Sequence, residues 1–106
     1  MTLHLALILE ARGVDAQVRK ELQQLLELMK EIAGDRSVPR NIRAVIEGAM
    51  GKVAVKEPRV EDFSTAIYML DDVSTDINMP SHTRTDIWET ISKMEAVKEK
   101  IKEQHV

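Results

Sequence analysis

The sequence contains no cysteine. That excludes a disulfide framework, a thiolate nucleophile, an Fe–S cluster and any cysteine zinc site. Its aromatic residues are Phe63, Tyr68 and Trp88 alone, so the interior must be built from aliphatic side chains. The four glycines, at positions 13, 34, 48 and 51, are too scattered to form a loop that cradles phosphate. Neither sign of charge dominates. Fifteen basic and 18 acidic residues leave a net charge of -3, which gives no overall field for nucleic acid or membrane. Long apolar runs are also missing: Leu3–Leu9 as a helix spans only about 10 Å, a third of a bilayer. The opening MTLHLALILEARG has no basic lead and no cleavage motif, so it does not read as a signal peptide. The expectation is a cytoplasmic protein without membrane attachment.

What is present is helical periodicity. A chain of 106 residues and 12.0 kDa supports one domain that buries roughly two-thirds of its unfolded surface. After an Asp15 N-cap, Val18, Leu22, Leu25, Leu26, Met29 and Ile32 form a stripe that Gly34 terminates. A second stripe joins Ile42, Val45, Ile46, Ala49, Met50 and Val53, with Ser37 as cap and Pro39 in the first turn. Gly48 and Gly51 lie inside this helix, where each costs about 1 kcal/mol relative to alanine. Past the loop around Pro58, Phe63, Ala66, Ile67, Leu70 and Val73 mark a third helix, from about Val60 to Thr75. A fourth carries Ile87, Ile91, Met94, Lys98 and Ile101 on one side, with Trp88 beside them. Residues 1–13 read as an N-terminal extension that allows a short extra helix, and 14–106 as the bundle domain.

The strongest pattern is an internal repeat. Asp35-Arg36-Ser37-Val38-Pro39-Arg40-Asn41-Ile42-Arg43 matches Asp76-Ile77-Asn78-Met79-Pro80-Ser81-His82-Thr83-Arg84 at an offset of 41 residues. The Asp, the apolar residue before Pro, the Pro and the final Arg all coincide, and core positions match on both sides. Such a period falls in the range of helical solenoids, but two units favour a closed bundle over an extended superhelix. The fold expected is all-α: a four-helix up-and-down bundle made of two repeated hairpins. Asp35 with Arg43, and Asp76 with Arg84, are expected to tie each turn to the following helix by charge-assisted hydrogen bonds. Ser37, Pro39, Asn78 and Pro80 complete these structural turns.

No reaction emerges from the remaining inventory. His4, His82 and His105 are too far apart in sequence to make a helical metal pair. Asp71, Asp72 and Asp76 lack both a calcium loop and histidine partners, so they read as a solvated acidic face. We therefore expect no catalytic, metal or cofactor residue, and a protein that is not an enzyme. A metal-dependent enzyme at the three aspartates is the weakest alternative. Tyr68 and Trp88, at the borders of their stripes, either complete the core or anchor a protein interface. Arg36, Arg40, Arg43 and Arg84 offer a local face for an anion or RNA, which keeps a ribosome-associated role as an alternative. Spare apolar stripes also allow a homodimer.

In DRSVPRNIR, STAIYMLDDVSTDINMPSHTRTDIW and SKME, the chain resembles the UPF0147 family of small, mainly archaeal proteins. The resemblance spans about Asp15 to Val97. It implies a four-helix up-and-down bundle with a bromodomain-like arrangement. It brings no activity, ligand or catalytic residue to carry over. The function expected is thus a helical protein-interaction or assembly module.

Overall fold

The computed structural model describes residues 16–104. The Asp15 cap, the N-terminal extension with its extra helix, and His105 lie outside the described residues. Four helices follow one another: α1, Ala16–Gly34; α2, Arg40–Val53; α3, Val60–Val73; and α4, Ser81–Gln104. Each packs on the next, and α4 packs back on α1 to close an all-α, up-and-down bundle.

The buried positions follow a stricter spacing than the amphipathic stripes alone suggest. They are Val18, Leu22, Leu25, Met29 and Ile32 on α1, and Ile42, Ile46, Ala49 and Val53 on α2. Phe63, Ala66, Leu70 and Val73 follow on α3. Every step is three or four residues in alternation, the 3.5-residue period that lets neighbouring helices interlock along a shallow crossing. On α4 the same rule selects Thr83, Ile87, Thr90, Met94, Val97 and Ile101. This corrects the expected stripe: Ile91 and Lys98 are only partly buried, and two threonines take core positions. Thr90 donates its hydroxyl to the Asp86 carbonyl at 2.8 Å, which makes its burial tolerable.

The two hairpin turns are the same object twice. The Ser37 N–H donates to Asp35 Oδ1 at 2.9 Å, and the Asn78 N–H donates to Asp76 Oδ1 at 2.8 Å. The Val38 and Met79 N–H groups then close a turn onto the Asp35 and Asp76 carbonyls. Val38 and Met79 are both buried, so the apolar residue before each proline plugs the end of the core. α2 and α4 begin at matching positions, one residue after Pro39 and Pro80. Ser37 does not cap α2 as expected. Its hydroxyl turns back to Asp35 Oδ1 at 2.7 Å, and Pro39 itself occupies the cap position. The helix starts at Arg40, which leaves Ser37 two residues ahead of the cap position, and its hydroxyl donates to the turn carboxylate in a charge-assisted bond.

The two helix-interior glycines separate clearly. A Cβ on Gly48 would stand 3.0 Å from the Met69 methyl of α3, so this glycine permits close approach of α2 and α3. Gly51 faces open space.

Candidate functional site

Both Asp-Pro turns lie at one end of the bundle, where they bond to each other. His82 Nε2 is 3.4 Å from Asp35 Oδ2, and Asn41 Nδ2 donates to Asp76 Oδ2 at 3.4 Å. Asn41 and His82 are equivalent positions of the repeat, so the contact is reciprocal about a pseudo-twofold axis. The Ser37 hydroxyl and, after it, the Ser37 N–H hold the Asp35 carboxyl below its usual range; His82 adds to this.

The expected arginine ties form, but to carbonyl oxygens instead of carboxylates. Arg43 donates from Nε to the Val38 carbonyl at 3.0 Å. Arg84 donates from Nε to the Ser74 carbonyl and from Nη2 to the Asp76 carbonyl, both at 2.9 Å. The aspartate oxygens are already engaged by the local turn and by the opposite turn. The guanidinium groups instead satisfy carbonyls left over at the helix end and in the turn, where positive charge is favoured. Arg43 and Arg84 are partly buried in these roles, and Arg36 and Arg40 are exposed. Two of the four arginines are thus engaged by carbonyls, and the other two are exposed.

Asp71 and Asp72 are exposed on the last turn of α3, and Asp76 is built into its turn. Among the described residues, no group of three His or acidic side chains is placed to hold a metal ion. No described helix is long and apolar enough to cross a membrane.

The aromatic residues divide sharply. Phe63 is fully buried in the core, whereas Tyr68 and Trp88 are 72% and 55% exposed. Tyr68 is half a helical turn from the buried Phe63, Ala66 and Leu70, so it points straight out of α3. Trp88 follows the buried Ile87 and leans outward from α4. The core closes without either ring. A third large side chain, Ile77, is 91% exposed at the tip of the second turn. Its equivalent in the first turn is Arg36, also exposed, so an isoleucine stands where the repeat shows a charge is accommodated. That substitution within the repeat is the signal that sequence reasoning passed over.

Comparison with known proteins is consistent along the chain. Residues 10–97 match the profile of the Uncharacterised protein family (UPF0147), a span that starts five residues before the expected Asp15 and ends at the expected Val97. A UPF0147 protein of Methanocaldococcus jannaschii is 49% identical over 73 residues, covering 67% of this chain and 77% of that protein. Its counterpart from Pyrococcus horikoshii is 39% identical over 84 residues, covering 76% and 89%. Among solved structures, a UPF0147 protein from Thermoplasma acidophilum superposes with a TM-score of 0.71 at 31% identity, over 77% of this chain and 99% of that one. A crystallised protein of unknown function gives 0.66 at 42% identity, over 71% and 86%. On sequence and fold alike, the chain belongs to the UPF0147 family.

Proposed function

We propose that this bundle is a non-enzymatic protein-interaction module of the cytoplasm, with its docking surface centred on Tyr68 and Trp88. The observation that carries the reading is the exposure of both rings beside a core that is already complete. Two of the three aromatics in the chain are spent on solvent. Tyrosine and tryptophan combine a large apolar area with a polar handle and few rotatable bonds. They therefore contribute disproportionately when an interface covers them. The RNA reading is less favoured, because two of its four arginines, Arg43 and Arg84, are committed to carbonyls.

A site-specific photocrosslinking experiment tests the proposal. A crosslinking phenylalanine analogue is placed at position 68 or 88, and at the exposed Glu47 as a control, in protein expressed in its native host. The expected result is one recurrent protein adduct from positions 68 and 88 that is absent from position 47. Trp88→Ala should lower recovery of that protein at least tenfold, on the order of 1.4 kcal/mol or more for a central aromatic. Adducts between copies of this chain would identify the partner as a homodimer. Equal labelling from all three positions, or adducts to RNA alone, would overturn the reading.

A further inference from the structure

On the seam between α1 and α4, beside the paired turns, a groove of about 170 Å³ is lined by Leu28, Glu31, Ile32, Asp35, Thr83 and Asp86. Three of the six are carboxylates. Among the described residues, neither Glu31 nor Asp86 has an ion-pair partner, and the last turn of α1 carries no basic residue. The carbonyl end of α1 adds its own negative potential to the same place. Thr83 is 1% exposed, and its Oγ1 finds no hydrogen-bond partner among the protein groups around it. A buried hydroxyl without a partner is costly and asks for an explanation.

The repeat supplies an internal control. At the offset of 41 residues, the matching seam between α3 and α2 places Met69, Asp72, Val73, Asp76, Ile42 and Val45 at the corresponding positions. There, Thr83 is replaced by the fully buried Ile42, and Asp86 by the partly buried Val45. Met69 packs against Gly48 on that side. The fold therefore accepts apolar residues at both positions. The unpaired hydroxyl and the third carboxylate are additions confined to the α1–α4 seam, and packing does not require them.

We propose that this groove binds an organic cation, an ammonium or guanidinium group carried on a short aliphatic stem. The carboxylates of Glu31 and Asp86 neutralise it, Leu28 and Ile32 cover the stem, and Thr83 turns about χ1 to engage it. Threonine in a helix has two accessible rotamers, so that turn needs no backbone movement. A metal ion does not suit the site, since these carboxylates do not converge tightly enough to ligate one. The volume is well below that of an ordinary nucleotide or drug-sized pocket, and it matches a single side-chain-sized group. The cation is either a free diamine-like molecule or an arginine or lysine side chain of a protein. The groove is separate from the Tyr68–Trp88 surface, because Asp86 and Trp88, two residues apart, point to nearly opposite sides of α4.

The test is a titration at low ionic strength followed through the backbone amide resonances of Glu31, Thr83 and Asp86. Agmatine, which carries one guanidinium and one ammonium, is the free-cation probe. A Gly-Arg-Gly peptide is the side-chain probe, and butyramide is the uncharged control. Saturable shifts with agmatine or the peptide, but none with butyramide, are expected, and the tighter of the two identifies the source. Asp86→Asn should weaken binding about tenfold, and Thr83→Val severalfold. Asp72→Asn, on the matching seam, removes the same charge and should leave affinity unchanged. Absence of shifts with both cations overturns the proposal. So does equal weakening by Asp72→Asn and Asp86→Asn, which would mean diffuse attraction to an acidic protein. Thr83→Val keeps the shape of threonine and takes the apolar character of Ile42 on the matching seam, so it tests the site in a variant expected to retain the fold.

Discussion

His82 Nε2 and Asp35 Oδ2 meet at 3.4 Å across the two hairpin turns, and Asn41 with Asp76 repeats the contact at the same distance. Each aspartate thus serves two purposes with two oxygens: Oδ1 organises its own turn, and Oδ2 meets the other turn. One imidazole and one amide fill equivalent places. His82→Asn would make the two halves alike, and Asn is a good substitute because it presents the same kind of N–H donor. Thermal unfolding of His82→Asn should agree with the parent to within about 0.5 kcal/mol at neutral pH, as for an exposed polar exchange. A larger loss would show that the ring packs where the amide does not.

Asp35 gives the paired turns a defined acid response. Its carboxyl lies below the ordinary value of 3.8, chiefly because the Ser37 hydroxyl and N–H donate to the charged form. A group whose pKa is depressed on folding contributes stability above its unfolded value, and that contribution disappears as pH falls through the folded value. The contribution is therefore present at pH 5 and above, and it declines below about pH 4. Asp35→Asn should lower the melting temperature at pH 7 and narrow its gap from the parent as pH falls to 3. Melting curves across that range check it. A gap that stays constant with pH would show that Asp35 acts through shape and not through charge.

Arg43 and Arg84 occupy one repeat position and do unequal work. Arg43 makes one bond within its turn, whereas Arg84 joins the end of α3 to the following turn by two. Hydrogen bonds to a charged partner contribute about 1.5–3 kcal/mol when well buried, and partial exposure lowers this. Arg84→Ala should cost about 2 kcal/mol, and Arg43→Ala about half as much. Arg84→Lys should recover little, since an ammonium cannot copy the fork that reaches two carbonyls. Urea unfolding of the three variants orders them, and equal costs for the two alanine variants would refute the asymmetry.

Much of this bundle is legible from spacing. The two Asp-x-x-x-Pro turns and the apolar residue before each proline recur at a fixed offset, and the helices between them begin and end close to where Gly34, Pro39 and Pro80 suggest. Details set by competition between acceptors are less legible. The order of residues places Arg43 near Asp35, yet it cannot tell that both carboxylate oxygens are already claimed, one of them by His82 from 47 residues away. α4 is harder for another reason. Its inner face includes Thr83 and Thr90, and its outer face includes Trp88, so polarity misreports which side is buried. The α1–α4 groove was hidden for the same cause, because a threonine that lies inside reads as surface.

Gly48 and Gly51 are a natural pair for separating helix propensity from packing. Alanine at either position gains up to about 1 kcal/mol by restricting the unfolded chain and by its greater helix propensity. At Gly51 nothing stands within 4 Å of the new Cβ, so Gly51→Ala should stabilise by most of that amount. At Gly48 the Cβ would meet the Met69 methyl at 3.0 Å, and the flexible thioether must move aside. Gly48→Ala should therefore gain less than Gly51→Ala. Adding Met69→Leu should alter the Gly48 result and leave the Gly51 result unchanged. Chemical denaturation of the single and double variants measures this coupling, and strict additivity at Gly48 would show that Met69 does not limit the approach of α2 and α3.

Thr83 and Thr90 provide the sharpest contrast in the core. Both are 1% exposed, but Thr90 satisfies its hydroxyl on the Asp86 carbonyl, while Thr83 Oγ1 has no protein partner. Valine has nearly the same shape as threonine and carries no polar atom to satisfy. Thr83→Val should stabilise the bundle by about 1 kcal/mol, since it removes an uncompensated buried hydroxyl whose cost lies in the range of 1–3 kcal/mol. Thr90→Val exchanges a satisfied bond within the helix for a methyl group and should change stability by less than about 0.5 kcal/mol. The Ile42 position of the other hairpin shows that an apolar side chain suits the Thr83 site. If Thr83→Val proves more stable, the parent residue is being kept at a cost to the fold, as expected of a group that serves binding. If it proves less stable than Thr90→Val, the Thr83 hydroxyl has a structural partner in solution, and the case for a ligand at the α1–α4 seam loses its second support.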